Sequence, residues 1–435
     1  MGSRAYSSLR IWHPLLLIPA LLLPALVGSL LEPISDDYCY VVSVNQSGVL
    51  GFTAEQTTTW SGALVTNALA AIFGWLQQTS FQFAYALLLM VAFSLTYVAF
   101  TLLLANTLRV GLNRQLWGIL LPSVLLGLTF IASNFGIPLG LDSHEFPYGY
   151  TSIGWGAAIL SQYLPNLALF IAAGLMLFQR TTVATWASPI VLLLSAVLPL
   201  LSIQVGVAWV TFTLAASLLS IRQQTPKKML LFLPTILGTI FTVLNVVSPG
   251  SRNRRTQISD GGNGDLIEGL VRSVAASLDS IFSGLTVIGL ISGAGIMLLL
   301  AKNHFTRLAH ARLYFLLAAS VLFSVTVTDT FGAFEPWHQT GWRFSIFALA
   351  VLVGMRIATH WRALSRLSSG RGLQELVRST ALGIWMLFLL IQFGLLVSFL
   401  TERAAAIEAG DSRPVAWIAD TEVDWIRYCS ESIRN

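Results

Sequence analysis

The segment Ser35-Asp36-Asp37-Tyr38-Cys39-Tyr40 sets two carboxylates side by side where the first apolar run of the chain ends. Adjacent carboxylates beside a low-dielectric region repel one another, so such a pair either retains a proton or gathers a cation. Two chemistries follow: removal of a proton from an attacking hydroxyl, or binding of a divalent ion through oxygen. An N-cap pair that starts the following helix is the structural alternative for the same dipeptide. A second cluster, Ser248-Pro249-Gly250-Ser251-Arg252-Asn253-Arg254-Arg255, places three guanidinium groups within four residues. Arginine forks match phosphate oxygens in bidentate fashion, and the Pro-Gly turn allows close backbone approach to an anion. General contact with lipid headgroups, or salt bridges to acidic segments, would use the same charges.

Two further polar segments interrupt the apolar sequence. Residues 138–156 contain Asp142, His144, Glu145, Tyr148 and Tyr150, and residues 330–343 contain Glu335, Trp337, His338, Gln339 and Arg343. His144 and His338 are candidates for contact with metal or phosphate, against the plainer reading of polar residues at an interface. Arg343 either reaches toward an anion or extends its head to a membrane surface. The acidic motif admits a divalent cation, magnesium or manganese, but no complete ligand set is legible. The sequence has no Walker loop, zinc-type His/Cys spacing, nucleophile elbow or dinucleotide fingerprint. Cys39 and Cys429 are the only cysteines; they are either a disulfide or two separate thiols. Asn45-Gln46-Ser47 is a formal glycosylation sequon, meaningful in a eukaryotic secretory pathway.

The elements that must position these groups are apolar helices. Of the 435 residues 55% are hydrophobic and only 10% charged, with a mean hydropathy of +0.73, whereas soluble domains carry roughly 25% charge. Apolar runs near the roughly 20 residues needed to cross hydrocarbon recur along the chain, which selects helices over a barrel. They predict eleven spans, near 11–31, 81–104, 115–137, 157–178, 187–203, 205–221, 229–247, 278–301, 313–329, 343–359 and 380–400. The first run exceeds the core of a signal peptide, so it is read as a span. The pair over 187–221 requires a tight turn near Gln204 and Gly206.

Charge orients this all-α integral membrane fold. With alternate loops counted, sixteen of the twenty-five Lys and Arg residues share the side of the N-terminus, which basic short loops place in the cytoplasm. Of the twenty carboxylates, only Glu375 falls on that side. The net charge of +5 is therefore topogenic and no sign of a nucleic-acid partner. The expected organisation is a membrane domain over 1–400 with a long first outer loop at 32–80, followed by an extracytoplasmic tail over 401–435. Within the first loop, apolar residues at Leu64, Ala68, Ala71, Ile72 and Trp75 have a helical period. They predict an interfacial helix over Trp60 to Gln77, anchored by Trp60 and Trp75.

Together, Ser35-Asp36-Asp37-Tyr38, Trp60-Ser61-Gly62, Ser248-Pro249-Gly250 with its arginines, and Arg343 after an outer loop resemble the GT-C superfamily of multi-span glycosyltransferases. That group uses polyprenyl-phosphate sugars, and the likeness is to a poorly characterised bacterial branch. The resemblance implies inverting hexosyl or pentosyl transfer to a glycan, lipid or protein on the outer face of the plasma membrane, in building envelope polysaccharide. It implies Asp36 or Asp37 as base and Arg252, Arg254, Arg255 and Arg343 at the lipid phosphate. Tyr38, Trp60, His144, Glu145 and His338 are the further substrate-binding candidates. Phosphate is a good leaving group that needs charge stabilisation more than protonation, which agrees with this division of labour. A flippase of lipid-linked saccharide, or a non-catalytic assembly subunit, is the alternative class.

Overall fold

The computed structural model describes residues 20, 22–29, 36–108, 116–135, 156–178, 188–221, 228–259, 284–299, 311–330 and 340–365, with scattered positions in 271–275 and 379–405. Residues 11–19 of the first apolar run and, apart from residues 401 and 405, the 401–435 tail lie outside the described residues.

Every regular element among the described residues is helical. In chain order they are α1 (22–29), α2 (Asp36–Thr59), α3 (Leu64–Thr79), α4 (Phe81–Leu108), α5 (Leu116–Phe135), and α6 (Leu164–Phe178). A short lead, Gly156–Ala158, and a π turn, Ile159–Tyr163, run directly into α6. There follow α7 (Pro189–Leu201), α8 (Ile203–Ile221), α9 (Leu233–Val247), α10 (Pro249–Ser259), α11 (Gly284–Leu299), α12 (Ala311–Thr330) and α13 (Thr340–Ser365). Phe81–Leu108, Ile159–Leu177, Leu230–Val247 and Arg343–His360 are long and apolar enough to cross a membrane, and five shorter apolar helices accompany them. Outward-facing Ile236, Ile240, Val243, Leu244 and Val247 give α9 an apolar exterior. Such a surface suits lipid, and the chain is a membrane protein.

In a membrane the polar backbone must be satisfied inside the protein, and the few polar side chains are spent on ties between helices. Asn106 donates its amide to the Gly174 carbonyl at 2.8 Å and to the Tyr314 hydroxyl at 3.0 Å, joining α4, α6 and α12. Asn245 donates to the Pro199 carbonyl at 2.6 Å, Trp209 donates its indole N–H to Ser195 Oγ at 3.0 Å, and Thr235 donates to Thr213 at 3.0 Å. These bonds hold α7, α8 and α9 together, and the Thr66 hydroxyl attaches α3 to them through the Leu201 carbonyl at 2.6 Å.

Three expectations need correction. The first loop holds two helices, since residues 36–59 are helical as well; Val41, Val42, Val44 and the Thr57–Thr59 run are poor helix formers, which hid it. Its hydroxyls bond back to carbonyls one turn earlier, as in Thr53 to Val49 at 2.7 Å and Thr57 to Thr53 at 2.7 Å. The break between α7 and α8 falls at Ser202, in extended backbone, while Gly206 serves a close approach: a methyl there would lie 2.6 Å from Thr242 Oγ1. The arginine-rich segment is helix α10 and not a loop, because Pro249 begins it and Ser248 Oγ accepts the Ser251 N–H at 3.3 Å.

Helices α11 and α13 touch backbone to backbone through Gly293 and Gly354: a methyl on Gly293 would overlap the Val351 carbonyl, and one on Gly354 the Leu290 carbonyl. Gly293→Ala is therefore expected to cost roughly 1–3 kcal/mol by forcing the pair apart. Gly383→Ala, with nothing within 4 Å of the added carbon, should be neutral or slightly stabilising. Thermal unfolding in detergent compares them, and equal midpoints would dismiss the close crossing.

Candidate functional site

Asp37 is fully buried. One carboxylate oxygen accepts the Tyr85 hydroxyl proton, and the other accepts the Ala157 backbone N–H at 3.0 Å. Tyr85 stands near the start of α4, its ring edge-on to Phe73 of α3 at 5.3 Å between centroids. Gly156 makes the approach possible: a methyl there would lie 2.8 Å from Asp37 Oδ1 and 2.5 Å from the Phe73 ring. Asp37 thus closes the N-terminus of the Gly156–Ala158 lead, where backbone donors lack intrahelical partners. The capping alternative considered for the dipeptide applies, but to a helix 120 residues further along the chain.

The tryptophan and arginine motifs are built against each other. The Gly62 N–H donates to Ser251 Oγ at 2.9 Å, and the Ser251 hydroxyl donates to Asn245 Oδ1 at 3.3 Å. Neither glycine of the pair tolerates a side chain: a methyl on Gly62 would overlap Ser248 Oγ, and one on Gly250 would lie 2.6 Å from the Thr57 carbonyl. This docking puts the Arg254 guanidinium 5.2 Å from the centroid of the Trp60 ring, a cation–π contact. Trp60 is 43% exposed, Arg254 is half-buried and Arg252 is exposed, so the pair presents positive charge beside an accessible aromatic face.

Helix α3 links the two places. Asn67 donates to Thr57 Oγ1 at 3.1 Å and to the Ser61 carbonyl at 2.8 Å, beside the arginine platform. Gly74 lies against Tyr40, where a methyl would sit 2.7 Å from the carbonyl oxygen, beside the Asp37 cluster. Seven residues is close to two helical turns, so both contacts use one face and stand roughly 10 Å apart. One helix can meet both ends of α2 because α2 breaks direction at Gly48, with φ 70 and ψ 170, a conformation that suits glycine.

Arg343 is half-buried in the first turn of α13. Its neighbour Phe344 packs on Phe100, Phe130 and Phe170 with centroids 5.1, 5.3 and 5.0 Å apart. Phe100 is fifteen residues beyond Tyr85 on α4, roughly 22 Å along the axis, so the start of α13 lies well below Asp37 in the bundle. His144, Glu145 and His338 lie outside the described residues, as do the side chains of Asp36, Tyr38 and Arg255. Cys39 is disulfide-bonded, and the one other cysteine of the chain, Cys429, lies outside the described residues. Among the described residues no three His, Cys, Asp or Glu side chains gather as a metal site.

Sequence reasoning missed Tyr85 and Gly156, and it named Ser251 only as a member of the arginine cluster. A tyrosine in the opening turns of an apolar helix and a glycine just before a span were the available signals. Comparison of the chain with family models, curated proteins and solved structures finds no match.

Asp37→Ala removes the acceptor of the Ala157 N–H and the Tyr85 O–H and should cost roughly 1–3 kcal/mol, with Tyr85→Phe costing about 1. Thermal unfolding of both variants reads this directly. A wild-type midpoint for Asp37→Ala would mean the carboxylate bears no structural weight.

Proposed function

We propose that this chain is a membrane glycosyltransferase that moves a sugar from a polyprenyl phosphate to an acceptor hydroxyl of a glycan, lipid or protein. In this reading the chain crosses the plasma membrane eleven times with its N-terminus inside, and the acidic motif and arginine platform face outward. The acceptor oxygen attacks the anomeric carbon as its proton passes to a carboxylate of the Asp36–Asp37 pair. The bond from that carbon to the phosphate oxygen breaks with inversion, and polyprenyl phosphate leaves. Arg252, Arg254 and Arg255 receive its developing charge. Because Asp37 already caps one helix and takes the Tyr85 proton donor, the base role is assigned to Asp36.

One observation carries the reading. Two short segments nearly 190 residues apart, Trp60-Ser61-Gly62 and Ser248-Pro249-Gly250-Ser251, lock together through Ser251 and set Arg254 on the Trp60 face. A half-buried cation on an exposed aromatic face suits a phosphate at headgroup depth, where Trp is favoured. Two turns of α3 connect it to the acidic motif.

In proteoliposomes supplied with polyprenyl-phosphate sugars, Asp36→Asn should lower transfer by about 10²-fold or more while thermal unfolding stays as in wild type. A wild-type rate in Asp36→Asn would remove the proposed base. Arg254→Ala should raise the KM for the lipid donor about tenfold, the size of a lost charge-assisted hydrogen bond. Unchanged donor dependence would leave that guanidinium a packing residue of Trp60.

A further inference from the structure

The Gln77 side chain is 2% exposed, and among the described residues neither its amide nitrogen nor its amide oxygen has a hydrogen-bond partner. An amide buried in this way costs roughly 1–3 kcal/mol or more, so it is retained where something else bonds to it. Its position is informative. Gln77 follows Phe73 by four residues on α3, one turn along the same buried face, with their Cβ atoms about 6 Å apart. Phe73 is the ring that touches Tyr85 and lies against Gly156, the two residues framing the Asp37 carboxylate.

A second amide, on the π turn beside α3, shares part of this pattern. The side-chain oxygen of Gln162 is buried without a partner among the described residues, and Gln162 lies in the π turn Ile159–Tyr163, which packs against α3. A π turn brings residues five apart into register, and five residues before Gln162 is Ala157, whose N–H holds Asp37. π turns of this kind are frequent at functional sites. A glutamine amide offers a donor and an acceptor on one planar group, which matches a pair of neighbouring hydroxyls on a sugar ring.

We infer that Gln77 and Gln162 are the residues that bind the hydroxyl groups of the transferred sugar, next to the Asp37 cluster. The inference rests on the transferase reading and adds the location and recognition chemistry of the sugar. The arginine platform binds the lipid phosphate whether or not a sugar is attached; the two glutamines bind only the sugar. Gln77→Leu keeps the side-chain volume and removes an unsatisfied amide, so it should leave the unfolding midpoint unchanged or raise it.

The test is tryptophan-fluorescence titration of the full chain in nanodiscs with a polyprenyl-phosphate hexose and with the bare polyprenyl phosphate. Wild type should bind the hexosyl lipid at least about tenfold more tightly, the discrimination expected of a lost buried hydrogen bond. Gln77→Leu should bring the two affinities to near parity by weakening the hexosyl lipid alone, and Gln162→Leu should move them in the same direction. If Gln77→Leu yields no folded protein, the half-buried Gln162→Leu and the shortened amide Gln77→Asn give the same reading. Retention of the full sugar preference in folded variants overturns the inference and leaves the transferase reading standing. Failure of wild type to bind any hexosyl lipid overturns both. A lowered unfolding midpoint in Gln77→Leu with sugar preference intact marks the amide as the ligand of a buried water and overturns the inference.

Discussion

A carboxylate without solvent contact is tolerable only when donors meet it, and the cost of leaving it unmet runs to several kcal/mol. Asp37 is in that position, and the surrounding helices are arranged to satisfy it. The first helical turn at Gly156 points its backbone N–H at one oxygen, and Tyr85 turns its hydroxyl to the other. A methyl at position 156 would lie 2.8 Å from the oxygen that takes the Ala157 N–H, and Phe73 fills the space that such a side chain would occupy. The ends of α2, α3, α4 and the lead into α6 are therefore drawn to one place by a single carboxyl group.

The rest of the bundle follows a different economy, suited to a solvent that exerts no hydrophobic pull between helices. Where polar side chains exist they tie three elements at once, as Asn106 does with Gly174 and Tyr314. Where they do not, glycine lets backbones meet, as at Gly293 and Gly354. Many serines and threonines among the described residues satisfy themselves on a carbonyl one turn earlier, as Thr96 does on Ala92 at 2.8 Å. Thr96 also meets the Tyr163 hydroxyl at 2.5 Å, which joins the π turn to the middle of α4.

What was legible in the sequence was what local pattern encodes. The apolar runs announce α4 through α9 and α11 through α13 to within several residues, and the paired aspartates and clustered arginines stand out because they are dear in such a chain. The partners were not legible, because burial and pairing across 120 or 189 residues leave no mark on spacing. Helix α2 was hidden by β-branched and hydroxyl residues whose weak propensity is offset by packing against α3. The arginine run read as a loop because Pro249 and Gly250 signal a turn, although a proline is equally suited to a helix start. Gln77 is an ordinary residue in the sequence and is singled out only because its buried amide makes no hydrogen bond among the described residues.

Helix α3 acts as a ruler between the buried carboxylate and the arginine platform, and a ruler made of helix is read in angle as well as length. Each residue adds 100° of rotation and 1.5 Å of rise. A single insertion between Asn67 and Gly74 would swing one contact off the shared face, whereas seven extra residues would restore the phase and widen the gap by about 10 Å. Variation in the length of this stretch among descendants of the chain should therefore come in steps close to whole helical turns, such as seven or eleven residues.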